Sequence, residues 1–381
     1  MNRENFHSPQ AGQVVFTPGR YWAFIPAPLP PKINYDPGLV VALSRADAAL
    51  SELSGLGRNI INPHLLISSY IRKEAVLSSR IEGTRAGIAD LLINDLETPN
   101  NPKDEDIREV QNYIGALEYG IERLNALPLS LRLVREIHSR LMNGVRGGNA
   151  TPGEFRRSQN WIGPSGSMLA DATYVPPPPN EMMDCLANWE MFLQEHGSFP
   201  ELIQCAIMHA QFEAIHPFMD GNGRVGRLLI TLFLIERGRL SQPLLYLSAY
   251  IEAHRKEYYD MLQRITTEGD WNSWLHYFLF GVEETSRQAV RQAGALMDLR
   301  EHLHREMRGK PKAAALLDPL FANPYMTVSR AAELLNVSQP TARQAIQTLE
   351  ESGVLQEVTG RAWGRTYLAS QIFSLIENAT E

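Results

Sequence analysis

From His216 to Arg227 the chain reads His-Pro-Phe-Met-Asp-Gly-Asn-Gly-Arg-Val-Gly-Arg, and this stretch admits few backbone paths. Upstream, Ile203, Ala206, Ile207, Ala210 and Ile215 recur at spacings of three to five, the pattern of a buried helix. Pro217 stops that helix, because the residue before a proline is pushed out of the α region. Downstream, Arg224 to Gly238 is helical again, with Val225, Leu228, Leu229, Leu232 and Phe233 on one side. Asp220 to Gly223 is then a loop opening onto a helix N-terminus, where unpaired N–H groups and the positive dipole end suit a phosphate. Gly221 and Gly223 let the backbone approach an anion closely, and Asn222 adds an amide.

Other readings fit less well. Gly221-x-Gly223-x-x-Gly226 matches the dinucleotide fingerprint in form, but that fingerprint must follow a strand, and here a helix, His and Pro precede it. His209, Glu213 and His216 have helical spacing for a metal, but Pro217 disturbs the third ligand and no second ligand cluster appears. A helix-capping His with surface arginines would not call for Asp220 and Gly-Asn-Gly beside it.

The stretch resembles the signature of the Fic family, His-Pro-Phe-x-(Asp/Glu)-Gly-Asn-Gly-Arg-x-x-Arg, at every fixed position. The resemblance implies an all-helical core that transfers AMP from ATP to a Ser, Thr or Tyr hydroxyl of a protein. His216 would be the general base, a role that suits an imidazole near neutral pH. Asp220 would hold Mg²⁺, which prefers carboxylate and phosphate oxygens. The backbone of Gly221, Asn222, Gly223, Val225 and Gly226 and the amide of Asn222 would cradle phosphates, with Arg224 and Arg227 taking the rest as charged forks.

The chain's 381 residues suggest two or three domains. With 44% hydrophobic and 21% charged residues it has the composition of a globular protein with a sizeable core. A net charge of −7 argues against general binding to nucleic acid or anionic membranes. Cys185 and Cys205 follow no spacing motif and read as buried free thiols. Met1 to Gln10 lacks a signal-peptide core, and the longest apolar run, Leu228 to Ile235, is too short to span a bilayer. The expectation is a cytoplasmic protein.

Residues 1 to about 38, with Pro26, Pro28, Pro30 and Pro31, read as an extended arm across the helices in preference to a polyproline ligand. A first helix is expected over Pro37 to Leu53. The next, with Asn62 as cap and Pro63 in its first turn, should run through Glu82 and stop at Gly83. Ser78 and Glu82 are four apart and share a face. Ser78-x-x-x-Glu82-Gly83 resembles the family's inhibitory motif, in the arrangement where the inhibitory helix precedes the core. By that resemblance Glu82 pairs with Arg227 and withholds it from the γ-phosphate of ATP.

Ile107, Val110, Ile114, Leu117, Ile121 and Leu124 make an amphipathic helix of about Asp104 to Leu124, and Leu129 to Leu141 repeats the pattern. Gly144 to Gly166 is too irregular for a helix and runs into Thr173-Tyr174-Val175, which has β character. In the family this place holds a flap that aligns the target by strand addition, expected here over about Gly163 to Val175. Relatives often carry a Tyr-Tyr segment beside the adenine, which makes Tyr259 of Tyr258-Tyr259 a base contact; some have Asn where this chain has Thr267.

Glu283 to about 315 reads as a connecting helix. Beyond it, Met326 to Leu335 and Gln339 to Ser352 read as helices, and Val354 to Val358 and Thr366 to Leu368 as strands. That order resembles a winged helix-turn-helix, with Gln339, Thr341, Arg343, Gln344, Gln347, Arg361 and Arg365 facing a DNA groove. Residues 316–381 hold four Arg against seven Asp or Glu, 4 − 7 = −3, which favours docking or dimerisation over DNA. The fold class expected is mainly α: residues 1–100 forming an N-terminal region with the inhibitory helix at about 63–82, a Fic-type helical core over 101–282 with its small β-hairpin flap, a connector over 283–315, and the winged-helix-like domain over 316–381. The expected activity is protein AMPylation, self-modification included, using ATP and Mg²⁺. Its alternatives are a DNA-binding regulator with a sensor core, de-AMPylation, and transfer of another nucleotide.

Overall fold

The structure is a computed structural model and describes residues 1–59, 63–97, 104–145, 151–164 and 166–377. Its N-terminal region is a hairpin: β1 (Gly12–Phe16) pairs antiparallel with β2 (Trp22–Pro26), Gly12 opposite Pro26 and Phe16 opposite Trp22. The expected extended arm is thus corrected, because the prolines cluster after β2 while β-favouring Val14, Val15, Phe16, Trp22, Phe24 and Ile25 flank a turn closed by Thr17 N–H donating to the Tyr21 carbonyl at 2.9 Å. Helices α1 (Pro37–Asn59), α2 (Pro63–Ile81) and α3 (Ile88–Glu97) follow; Asn62, expected to cap α2, lies outside the described residues. Next come α4 (Glu105–Arg123) and α5 (Leu131–Leu141), whose first turns are capped by Asp104 and Ser130 side chains accepting from Asp106 and Leu133 N–H.

The centre of the molecule is the pair α7 (Glu201–Ile215) and α8 (Asn222–Glu236), preceded by α6 (Pro179–Leu193). Helix α7 is buried on almost every face, Gln204, His209 and Gln211 included, so its polar groups need internal partners. Gln204 meets this by donating to the Phe192 carbonyl at 2.8 Å, and Gln211 donates to Ala27 at 3.0 Å. The fully buried indoles Trp189 and Trp274 lean on α7 from either side, donating to the carbonyls of Met208 at 2.9 Å and Ala206 at 3.0 Å. Trp274 belongs to α11 (Trp271–Glu306), which follows α9 (Ser248–Ala253) and α10 (Arg255–Glu268) and packs along α1. The segment expected to connect domains from Glu283 is therefore the second half of a helix that begins in the core.

The C-terminal domain runs α12 (Pro311–Ala322), β3 (Tyr325–Thr327), α13 (Val328–Leu335), α14 (Gln339–Glu351), β4 (Gln356–Glu357), β5 (Thr366–Leu368) and α15 (Ser370–Glu377), with an antiparallel sheet in the order β3-β5-β4. Met326 and Thr327 are strand where a helix was expected: Tyr325 to Thr327 pairs with Leu368 to Thr366, and the Thr327 hydroxyl caps α13 by accepting from Arg330 N–H at 3.2 Å. The strand expected over Val354 to Val358 shrinks to Gln356–Glu357, since Val354 and Leu355 turn into the core. The domain docks on the helices that precede it: α12 lies against α2, the Asn323 amide donates to Leu92 at 2.9 Å, and the Gln292 amide donates to Leu375 at 2.6 Å. Among the described residues no helix is long and apolar enough to cross a membrane. Trp274→Ala removes a fully buried ring and its hydrogen bond, so the unfolding free energy, read by urea denaturation, should fall by about 3–5 kcal/mol.

Candidate active site

The loop between α7 and α8 is set by two residues in the left-handed region. His216 (φ 49°, ψ 60°) ends α7, its N–H donating to Phe212 at 3.0 Å, and Gly221 (φ 77°) opens α8. Asn222 closes the loop between them, accepting from Phe218 N–H and donating to the Phe218 carbonyl, both at 2.8 Å. Its amide is therefore spent on the loop, whereas the sequence pointed it at phosphate. His138 of α5 supports the other side. Its ring stacks on Phe218 at 3.7 Å, Nδ1 accepts from Gly153 N–H at 2.8 Å, and Nε2 then donates to the Asp220 carbonyl at 3.1 Å. Burial pushes its pKa down to about 4, which keeps this neutral tautomer.

His216 is half-buried, and burial followed by the nearby charge of Arg156 pushes its pKa down to about 4, so the ring is free to accept a proton. His209 is not a metal ligand in this arrangement: Nδ1 meets the Gly226 carbonyl at 3.0 Å and Nε2 the Tyr258 hydroxyl at 2.9 Å. Among the described residues no group of three His, Cys, Asp or Glu could hold a metal by itself. Asp220, with a side chain 49% exposed, presents one carboxylate, and its Oδ1 accepts from Gly221 N–H at 2.6 Å. A single carboxylate fits Mg²⁺ only as it binds nucleotides, with phosphates and water completing the shell.

Arg227, 2% exposed, is fully engaged by the end of α2. Its Nε donates to the Ser78 hydroxyl at 2.9 Å, and NH2 donates to the Ser78 carbonyl at 2.9 Å and to Glu82 Oε1 at 2.8 Å. Burial works against the Glu82 carboxylate, but the Arg227 charge and hydrogen bond, together with the charge of Arg224, hold its pKa below the ordinary value. Gly83 turns the chain away with φ 102°. Gly223 makes the pairing sterically possible, since a Cβ there would lie 2.3 Å from Glu82 Oε1. Arg224 is buried too and pairs with Glu109 at 3.4 Å and, more distantly, with Asp220 at 3.9 Å.

The predicted residues do not all converge. His216, Asp220, Gly221, Gly223 and Arg227 gather around the loop with Ser78 and Glu82. Val225 is buried in the core, and Gly226 faces inward, where a Cβ would meet Glu213 Oε1 at 2.2 Å. Tyr259 is 43% exposed beside buried Tyr258. The segment expected as a flap forms no strand among the described residues and closes on an isolated bridge of Ile162 with Tyr174; Thr173 and Tyr174 N–H both donate to the Ile162 carbonyl, at 2.8 and 3.0 Å. Val175 is buried, and its carbonyl already accepts from Phe24 of β2 at 2.9 Å. Sequence reasoning missed His138, Arg156 and Asn160, which reach the loop from distant chain positions without a local pattern, and missed the role of Glu213.

Glu213 is half-buried near Arg227, with a buried Oε1 that has no hydrogen-bond partner among the described residues, and the desolvation of its carboxyl pushes its pKa up to about 8. The folded state then holds this proton more tightly than the unfolded chain, so stability declines as pH rises from the ordinary carboxylate range through about 8. Glu213→Gln should flatten that decline, as seen in urea denaturation run across this pH interval.

Residues 128–234 match the Fic/DOC family, residues 40–122 the Fic/DOC family N-terminal region, and residues 313–364 the DeoR-like helix-turn-helix domain. The chain is similar to a protein adenylyltransferase Fic of Aedes aegypti, 32% identical over 163 residues that cover 41% of this chain and 28% of that protein. It is 28% identical to one of Drosophila grimshawi over 185 residues, covering 46% and 34%. The chain thus spans about a third or less of the length of these curated relatives. A crystal structure of a Fic family protein from Desulfovibrio desulfuricans G20 shares the fold over 90% of this chain and 98% of that one, with TM-score 0.60 and 20% identity. Sequence and motif agree: the chain carries a Fic/DOC N-terminal region and a Fic/DOC domain, followed by a DeoR-like helix-turn-helix domain.

Proposed function

We propose that this protein transfers AMP from ATP to a Ser, Thr or Tyr hydroxyl of a protein, and that Glu82 restrains it. The reading rests above all on Arg227, a buried guanidinium at the phosphate-binding loop whose present partner is a carboxylate from α2. In the reaction the target oxygen attacks the α-phosphorus, His216 takes the hydroxyl proton, and the bond to the β-phosphate oxygen breaks to release pyrophosphate. Free N–H groups at the α8 terminus and the exchangeable face of Arg227 stabilise the phosphates. Asp220 would hold Mg²⁺, which neutralises phosphate charge when bound. The Glu82 carboxylate occupies the anion's place on Arg227, so ATP binds with its γ-phosphate unmet and the α-phosphate out of line. The names of the adenylyltransferase relatives support the same activity. With α-labelled ATP and Mg²⁺, Glu82→Gly should incorporate at least about tenfold more label than wild type, His216→Ala in that background should abolish incorporation, and γ-labelled ATP should give none. Absence of α-label from every variant would remove AMP transfer to the supplied proteins.

A second reading concerns the C-terminal domain and is favoured by where its charge lies. Residues 358–365 between β4 and β5 carry Arg361, Arg365 and a Trp363 that is 83% exposed, with no acid, and the exposed face of α14 begins with Gln339, Arg343, Gln344 and Gln347. Of the domain's acids, Glu357 at the foot of this segment is taken up by Thr359 and Gly360 N–H and Glu351 by the Gln347 amide, while Asp318 pairs with Arg300 and Glu333 with Arg330. If this face meets DNA, Arg361→Ala with Arg365→Ala should weaken duplex binding in a gel-shift assay and flatten its salt dependence by roughly two phosphate equivalents. Unchanged binding would return the domain to protein docking.

A further inference from the structure

Arg156 is buried at 2% exposure, yet has no carboxylate within ion-pair distance among the described residues. Its guanidinium donates only to main-chain carbonyls, and these belong to two segments. On the catalytic loop they are His216 at 3.0 Å (Nε) and Ile215 at 3.4 Å; at the root of the flap they are Ser158 at 3.4 Å and Pro177 at 2.5 Å. The backbone N–H of Arg156 adds a bond to the Pro217 carbonyl at 2.9 Å. Asn160, four residues further on, donates to the same His216 carbonyl at 3.2 Å and to Phe218 at 2.7 Å.

A buried charge without a counter-charge is costly to keep, and burial here lowers the arginine's pKa to about 10. What only arginine supplies is a rigid planar fork with five donors. That fork grips a carbonyl whose residue has an unfavourable backbone. The left-handed region is unfavourable for a non-glycine residue, and the residue before a proline prefers the extended region. His216 stands against both preferences and so depends on surroundings that over-determine it. Released, the peptide would relax toward extended backbone and carry the imidazole with it.

Resting on the transfer reaction above, we propose that Arg156 is a positioning residue: it holds His216 in its left-handed conformation and ties that backbone to the root of the flap, so that a target segment laid on the flap is registered to the base. The Tyr174 hydroxyl, donating to the Ala214 carbonyl at 2.7 Å, is a second tie between the same two segments. Arg156's positive charge also opposes protonation of the His216 ring, alongside burial, while Glu82, Asp220 and the Glu213 carbonyl work the other way.

The test compares Arg156→Ala and Arg156→Lys in the Glu82→Gly background, with and without millimolar guanidinium chloride, and solves the structure of each variant. We expect kcat for α-label transfer to fall roughly 100-fold in Arg156→Ala, with KM for ATP within about threefold of the parent. Guanidinium ion should recover part of kcat, and Arg156→Lys should lie between the two. In the Arg156→Ala structure His216 should have left the left-handed region. The proposal is overturned by a kcat that stays within about twofold of the parent, by kcat, KM and melting temperature failing together without rescue, or by a variant structure in which His216 is unmoved. If the parent transfers no label, the proposed function fails, and the His216 conformation alone decides this inference.

Discussion

A guanidinium enclosed by protein must have its donors met, by carbonyls as at Arg156 or by a carboxylate as at Arg227, and the Arg227 pairing is the pivot of the molecule. Breaking a buried ion pair leaves an uncompensated charge that costs several kcal/mol, so Arg227 trades partners and does not simply lose one. The Glu82 carboxylate just beyond α2 is the anion that meets it here. In the function proposed above, restraint and nucleotide binding are one electrostatic vacancy with two claimants, Glu82 and a phosphate at the N-terminus of α8. The claim of Glu82 depends on α2 being held in place. One turn before Ser78, the buried carboxylate of Glu74 accepts from Ser248 N–H at 3.0 Å and from the Tyr113 hydroxyl at 3.2 Å, which pins that turn to α9 and α4.

The same helix carries the C-terminal domain. α12 rests on α2, β3 rests on α3, and the Asn323 amide closes on Leu92. The hydrophobic core runs without interruption from Leu39 through α7 to Ile376. Winged helix and Fic core are therefore packed together around α2, which fixes the end of that helix and with it the place of Glu82 beside Arg227.

What was legible in the sequence was local. The helix–loop–helix at 203–238 followed from a proline, two glycines and an apolar stripe, and the pairing of Glu82 with Arg227 was implied by resemblance to a contiguous motif, whereas the bonds of Ser78 to Arg227 were not foreseen. The supporting residues were not legible. Arg156 and Asn160 contact carbonyls about 60 residues away, and carbonyls leave no trace in side-chain patterns. Asn222 was misassigned for a related reason: an amide that can serve a ligand can equally close its own loop, and only coordinates tell the two apart. At Met326 and Thr327 the helical spacing of apolar residues lost to an N-cap and a strand partner, both set by the tertiary fold.

Glycines 223 and 226 were first understood as letting backbone approach a phosphate. In the folded chain each also leaves a socket for an acid, Glu82 at the first and Glu213 at the second. A side chain at 223 would meet the Glu82 carboxylate at 2.3 Å, so the seat of that acid beside Arg227 is kept open by the absence of a single carbon atom.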